Sequence, residues 1–179
     1  MSPTVLITGT SRGIGRALAE HYLRKGFNVA GCSRTATDLS AANYLHVCLD
    51  VTDEKAVCAF VRAVYKHFGA LDILINNAGA ASMNHLALTP LGTAERIVGV
   101  NFLAPFLFTR EAAKIMMKKR SGRIVNLSTV AVPLNLSGEA VYASSKAAVE
   151  ELTRIAAKEL AEMGITVTPW APHQWKRTL

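Results

Sequence analysis

Along this chain, short runs of aliphatic and β-branched residues alternate with longer stretches whose apolar positions recur at helical spacing. Thr4–Thr8 predicts a short buried strand, followed by a glycine-rich turn and a helix from about Ile14 to Arg24 that stops at Gly26. Asn28–Ser33 and Tyr44–Asp50 predict two more strands. Asp53–Phe68 predicts a helix capped by Thr52 or Asp53 and ended by Gly69. Leu71–Asn76 is rich in Leu and Ile, as a strand buried on both faces is. A helical stretch follows from about Ala94 to Arg120, with a bend expected at Pro105. Arg123–Leu127 predicts a strand, Val141–Met163 a helix, and Ile165–Val167 the start of another strand. Strand–helix alternation over short links implies parallel pairing and right-handed crossovers, hence a doubly wound parallel α/β sheet in three α/β/α layers. No linker, repeat or low-complexity segment divides residues 1–167, so they are expected to form one domain.

Composition narrows the classes. The chain has 179 residues, half of them hydrophobic and 18% charged, which is enough to bury a core and unlike a disordered segment. No apolar run approaches the roughly 20 residues that span a bilayer, and MSPTVLITGT has neither a basic n-region nor a cleavage site. Cys32, Cys48 and Cys58 lack metal-ligand spacing and are expected as small buried hydrophobes in a reducing compartment, with the cytoplasm as location. Much of the net charge of +7 sits in Lys114, Lys118, Lys119, Arg120 and Arg123. Two readings stand: a solvated helix C-terminus whose cations suit the macrodipole, or a docking patch for an acidic partner. Without aromatic interleaving or a binding motif, nucleic acid is a poor third.

The turn Thr8-Gly9-Thr10-Ser11-Arg12-Gly13-Ile14-Gly15 links the first strand to the first helix. Its glycines permit positive φ and let the backbone approach a pyrophosphate, while the helix N-terminus offers free N–H groups to the anion. This placement makes Gly9, Ser11, Arg12, Gly13, Ile14 and Gly15 candidate dinucleotide-binding residues in a Rossmann-type domain. Cofactor choice is read at the end of the second strand, where an acidic residue suits NAD and an arginine the 2′-phosphate of NADP. Here the chain reads Cys32-Ser33-Arg34-Thr35, with no carboxylate before Asp38. Arg34, with Arg12 nearby, favours NADP(H).

These residues resemble the short-chain dehydrogenase/reductase family nearly to Val167. Asp50-Val51 resembles the pair beside the adenine, and Asn76-Asn77-Ala78-Gly79 the motif that steadies the sheet and borders the cofactor. Asn101, and Tyr142 with Lys146 in Tyr-Ala-Ser-Ser-Lys, match the family's catalytic positions. Met116-Met117-Lys118-Lys119 and Gly122-Arg123-Ile124-Val125-Asn126 are similar to the bacterial 3-oxoacyl-[acyl-carrier-protein] reductases.

Tyr142 and Lys146 lie four apart on a predicted helix, so they share a face. A free phenol, with a pKa of about 10, is a poor proton donor at neutral pH, and a neighbouring ammonium stabilises its phenolate. The resemblance implies hydride delivery to a carbonyl carbon while Tyr142 protonates the oxygen, with Lys146 holding the nicotinamide ribose and Asn101 tying a water into a proton relay. The family's carbonyl-polarising serine falls 13 residues before the tyrosine, on Thr129, with Ser128 as the fallback. Threonine keeps the hydroxyl and adds a methyl group. Met83, His85, Leu86 and Pro133–Leu136 are expected at the substrate cleft, His85 without a catalytic role.

Residues 168–179, Thr-Pro-Trp-Ala-Pro-His-Gln-Trp-Lys-Arg-Thr-Leu, depart from the family and resemble neither strand nor lid. Written in one permitted set of codons and shifted by one inserted A, Thr168–Thr178 translates as N-A-V-G-P-T-P-V-E-T-D, which is family-like. The expectation is a one-nucleotide deletion near codon 168 and a fold truncated at its C-terminus, with an uncovered sheet edge and no lid. A truly short protein with an improvised tail is the alternative. NADPH binding is then expected to be weaker than in a longer relative, with turnover slow or absent.

Three functions compete: an NADPH-dependent reductase of 3-oxoacyl thioesters or similar ketones, a dehydrogenase of another alcohol, sugar or steroid, and a non-catalytic nucleotide-binding remnant. Expected partners are a small carbonyl substrate, an acidic acyl carrier protein if the patch docks one, and further copies of the chain if full length. No membrane or metal is expected.

Overall fold

The computed structural model describes residues 2–171. Its strands are β1 (Thr4–Thr8), β2 (Asn28–Ser33), β3 (Tyr44–Cys48), β4 (Ile73–Asn76), β5 (Gly122–Leu127) and β6 (Ile165–Trp170). All pair in parallel, in the order β3-β2-β1-β4-β5-β6. Strand order reverses between β1 and β4, and the crevice at their C-terminal ends is where such sheets take ligands.

Alternation along β1 sets the layers. Val5 and Ile7 join Val29, Ile75, Leu127 and Ala19 in one core. Leu6 points the other way and meets Leu74, Ile124, Phe60, Phe108 and Met116. Ala19 comes from α1 (Gly13–Arg24), whereas Phe60, Phe108 and Ala156 come from α2 (Glu54–Phe68), α4 (Ala104–Lys119) and α6 (Ala140–Ala161). The result is the doubly wound, three-layer α/β/α architecture that the alternation implies. Asp53 caps α2 by accepting from Ala56 N at 3.1 Å, and Gly69 ends it at φ 74°.

The long helical stretch departs from its expected form. It starts at α3 (Leu91–Val98), passes through a π-helical segment Gly99–Leu103, and continues as α4. Pro105 sits in the first turn of α4, so the irregularity falls on the five residues around Asn101. Proline has no N–H to give to residue 101 and its ring crowds that carbonyl, which a wider turn relieves. Contrary to the expectation from apolar runs, Leu91–Lys119 is long and apolar enough to cross a membrane. Ala104, Leu107, Phe108, Ala112 and Met116 are buried, so one apolar face belongs to the core. The short helix α5 (Ala131–Leu134) was not anticipated.

Two further expectations are corrected, on the cysteines and on the tail, and the basic cluster gains detail. Only Cys32 is buried; Cys48, at the end of the outer strand β3, is exposed, and Cys58 is half-buried. At the C-terminal end of α4, Lys114 pairs with Glu111 at 2.7 Å and Lys119 with Asp72, so part of the basic cluster is neutralised within the fold. Thr168–Trp170, expected to resemble no strand, completes β6: Leu127 registers with Trp170, whose carbonyl accepts from Ser128 N at 2.7 Å. Since Trp170 faces β5, the missing N–H of Pro169 points to the outer edge, where it costs no ladder bond. The remaining tail, 172–179, and most of the proposed frameshift lie outside the described residues.

Candidate active site

The turn after β1 is shaped by its glycines. Gly9 and Gly13 adopt φ of 78° and 60°, a region that L side chains avoid. A Cβ on Gly15 would overlap the Gly9 carbonyl oxygen and Asn77 Nδ2, so this glycine serves helix–turn packing. The turn is latched to the loop after β4: Thr8 Oγ1 accepts from Asn77 N at 3.0 Å and Ala78 N at 2.9 Å, and Asn77 Nδ2 donates to Thr8 O at 2.8 Å. Helix α1 begins at Arg12 with no side-chain cap and no acidic residue in its first turn. Its leading N–H groups therefore remain available to an anion.

A cleft of about 780 Å³ opens above this turn. It brings together ten of the expected cofactor residues: Gly9, Ser11, Arg12, Gly13, Arg34, Asp50, Val51, Asn77, Ala78 and Gly79. Ile14 and Gly15 are not among the lining residues; Ile14 is 47% exposed on the first turn of α1. Ser33, Thr35, Leu49, Thr52, Ala80, Glu95, Arg96, Gly99 and Val100 also line the cleft, and the sequence had not singled them out. Most of them flank expected residues, a position that a strand-end pattern marks only loosely.

The charges fit a phosphorylated dinucleotide. Asp38, the first carboxylate after Arg34, is drawn off to Arg16, which holds its carboxyl below the usual range. Asp50 Oδ1 accepts from Thr52 N at 2.9 Å and Thr52 Oγ1 at 2.7 Å, so these bonds and the nearby Arg34 keep Asp50 ionised below the ordinary carboxylate range. Arg12 and Arg34 are both exposed at the cleft.

Tyr142, Lys146 and Asn101 lie beyond this lining; hydrogen bonds through Ser145 link Asn101 to the Tyr142 backbone. Asn101, fully buried in the π segment, accepts from Ala80 N at 2.8 Å and donates to Ala80 O at 2.8 Å and Ser145 Oγ at 3.0 Å. Ser145 Oγ donates to the Tyr142 carbonyl at 2.7 Å. Both Asn101 amide protons are thus committed, which leaves one lone pair of Oδ1 for a water. Lys146, 6% exposed, donates from Nζ to Leu127 O at 2.6 Å, and burial lowers its pKa to about 8. Gly79 joins the two regions: a Cβ there would stand 3.5 Å from Asn101 Oδ1 and 3.9 Å from Lys146 Nζ.

The two candidate polarising hydroxyls part company. Ser128 is buried and bonded to Glu150, one turn beyond Lys146. Thr129 is half-buried just after β5, its Oγ1 accepting from Ala131 N at 3.2 Å, so its proton is free to donate. Below the site, Asn76 Nδ2 donates to Asn126 Oδ1 at 2.7 Å, and Asn126 Nδ2 to Thr153 Oγ1 at 2.8 Å, a buried polar ladder from β4 through β5 to α6. Among the described residues, no group of three His, Cys, Asp or Glu side chains gathers as a metal site.

Comparisons with known proteins agree with this architecture. The short chain dehydrogenase family model matches residues 3–178. The 3-oxoacyl-[acyl-carrier-protein] reductase FabG of Vibrio cholerae is 38% identical over 176 residues, covering 93% of this chain and 71% of that protein. Its Staphylococcus aureus counterpart is 35% identical over 182 residues, covering 96% and 74%. A short-chain dehydrogenase from Streptomyces avermitilis superposes with a TM-score of 0.93 at 30% identity, over all of this chain and 68% of that one. ElxO with NADP bound gives 0.91 at 34% identity, over 96% and 73%; a tyrosine-to-phenylalanine variant of ElxO has been solved with NADPH bound. With its parallel sheet, its glycine turn and matches along nearly its whole length, the chain belongs to the short-chain dehydrogenase family of oxidoreductases.

Proposed function

We propose that this chain is an NADPH-dependent carbonyl reductase acting on 3-oxoacyl thioesters or similar ketones, with Tyr142 as the acid/base. The observation that carries the reading is one continuous site: a cleft lined by Arg12, Arg34 and Gly79, with Asn101 and Lys146 directly behind Gly79. When bound, the nicotinamide supplies the hydride. The positive-φ turn and the uncapped start of α1 hold the pyrophosphate, Arg34 and Arg12 the 2′-phosphate, and Asp50 and Val51 border the adenine.

Tyr142 gives its proton to the carbonyl oxygen as negative charge develops there. Lys146 keeps its ammonium at neutral pH, because its pKa of about 8 still lies above 7, and it stabilises the phenolate that remains while holding the ribose. Thr129 donates its free proton to the same carbonyl oxygen. Asn101 ties the Gly79–Ala80 segment to Ser145, whose hydroxyl bonds the Tyr142 carbonyl, and so anchors this turn of α6 beside the cleft. The relatives named as 3-oxoacyl-[acyl-carrier-protein] reductases support the substrate class, and the NADP-bound neighbour supports the cofactor. The proposal extends to a cytoplasmic enzyme, homo-oligomeric in its full-length form, whose substrate arrives on an acidic acyl carrier protein if the basic patch docks one.

The test is NADPH consumption with acetoacetyl thioesters set against simple ketones, for the protein and for Y142F. Turnover that favours the thioester and is lost in Y142F, with NADPH binding retained, is the expected result. Binding without turnover in the unmodified protein would leave a nucleotide-binding remnant, and undiminished turnover in Y142F would remove Tyr142 from the chemistry.

A further inference from the structure

The outer strand β3 braces both cation-bearing segments of the cleft through two side chains on one face. Tyr44 OH donates to Thr10 Oγ1 at 3.1 Å and so holds the turn that carries Arg12. Gly31 makes room for this bond, since a Cβ there would stand 2.5 Å from the Tyr44 hydroxyl. His46 lies two residues on, its ring centroid 6.1 Å from that of Tyr44. Its Nε2 is 2.8 Å from Ser33 Oγ, and Ser33 Oγ is 2.7 Å from the carbonyl oxygen of Thr35.

Proton counting orders this chain. A carbonyl only accepts, so the single hydroxyl proton of Ser33 lies on the bond to Thr35, and His46 must bring its own proton on Nε2. Burial lowers the His46 pKa, in keeping with a neutral ring that donates from Nε2. Ser33 is 7% exposed and lines the cleft with Arg34 and Thr35. The chain His46→Ser33→Thr35 therefore ties the backbone on either side of Arg34 into a fixed corner.

We infer that His46 is a positioning residue for cofactor choice: acting through Ser33, it fixes the Ser33–Arg34–Thr35 corner so that Arg34 meets the 2′-phosphate. The inference rests on the NADP reading above. It requires an N–H donor at the end of residue 46 and no change of charge, so glutamine, which carries its amide N–H at the same remove, substitutes for histidine.

The experiment measures dissociation constants for NADPH and NADH by fluorescence titration in the unmodified protein, R34A, H46A, H46Q, S33A and the R34A/H46A pair. Cofactor-free melting curves check that each folds. R34A is expected to lose NADPH affinity while keeping that for NADH. Loss of one hydrogen bond in H46A should weaken NADPH about 3–10-fold with NADH unchanged, and H46Q should restore it to within about 2-fold. R34A/H46A should bind NADPH no more weakly than R34A alone, because His46 acts through the corner that presents Arg34. Unchanged NADPH affinity in H46A, or an equal loss for both cofactors, overturns the inference while leaving the NADP reading intact. An unmodified protein that binds NADH as tightly as NADPH overturns the NADP reading and this inference with it. If H46A does not fold, S33A cuts the same link from the other side and is judged by the same NADPH-to-NADH comparison.

Discussion

Replacing Lys146 by methionine, which keeps the apolar stem and removes the amine, isolates what burial of that charge costs. In the fold the ammonium is 6% exposed and its pKa is about 8, against 10.5 for a solvated lysine. Below pH 8 both folded and unfolded chains hold the proton, and the fold bears the full penalty of about 3 kcal/mol. Between pH 8 and 10.5 the unfolded chain binds more protons than the folded one, so stability rises with pH. From pH 7 to 9.5 the gain for the unmodified protein over K146M is about 2 kcal/mol. The bond from Nζ to Leu127 O survives deprotonation, since a neutral amine still donates, and largely cancels between the two pH values. Urea unfolding of both proteins without cofactor at the two pH values measures this difference. Parallel pH dependences, agreeing within about 0.5 kcal/mol, would refute the burial argument, because other titrating groups are common to both proteins.

Gly15→Ala pushes a methyl group into the Gly9 carbonyl oxygen and Asn77 Nδ2; it should cost roughly 1–3 kcal/mol in urea unfolding and weaken NADPH in a fluorescence titration, and a variant unchanged in both would contradict the packing role. Thr129→Val should lower kcat about 100-fold with KM little altered, whereas Ser128→Ala, whose hydroxyl is spent on Glu150, should stay within a few-fold; the reverse ranking in steady-state kinetics would exchange their roles. Asn126→Leu interrupts the buried ladder between Asn76 and Thr153 and should destabilise by roughly 1–3 kcal/mol, read from the urea midpoint.

What could be read beforehand was whatever local sequence spacing decides. The β1–turn–α1 unit is contiguous, its glycines mark positive φ, and Tyr142 and Lys146 are joined by helix period alone. The crossover of the sheet follows from strand–helix alternation, since parallel neighbours leave few topologies. What escaped depends on register between distant segments. His46 reaches Ser33 because Gly31 pairs with His46 and Ser33 with Cys48 in adjacent strands, and no run of residues announces that. Glu150 meets Ser128 from α6, 22 residues further along the chain, so two neighbouring hydroxyls that look equivalent in sequence are not. Cys48 was misjudged because a cysteine's general preference for burial says nothing about an outer strand's open end. Thr168–Trp170 was misjudged because proline argues against a central strand, whereas β6 is outermost among the described residues.

The π segment at Gly99–Leu103 holds one residue more than a regular helix would need for the same span. Seen as an insertion carried within α3–α4, it is a phase shifter: everything before it is rotated about 100° from where an unbroken helix would set it. Excising a single residue there would close the wide turn while leaving Pro105 without an N–H and crowding the carbonyl four residues before it. It would also swing Asn101 away from Ala80 and Ser145. The alignment of this site thus hangs on one extra residue in a helix, and a deletion there would be read first in the placement of Asn101.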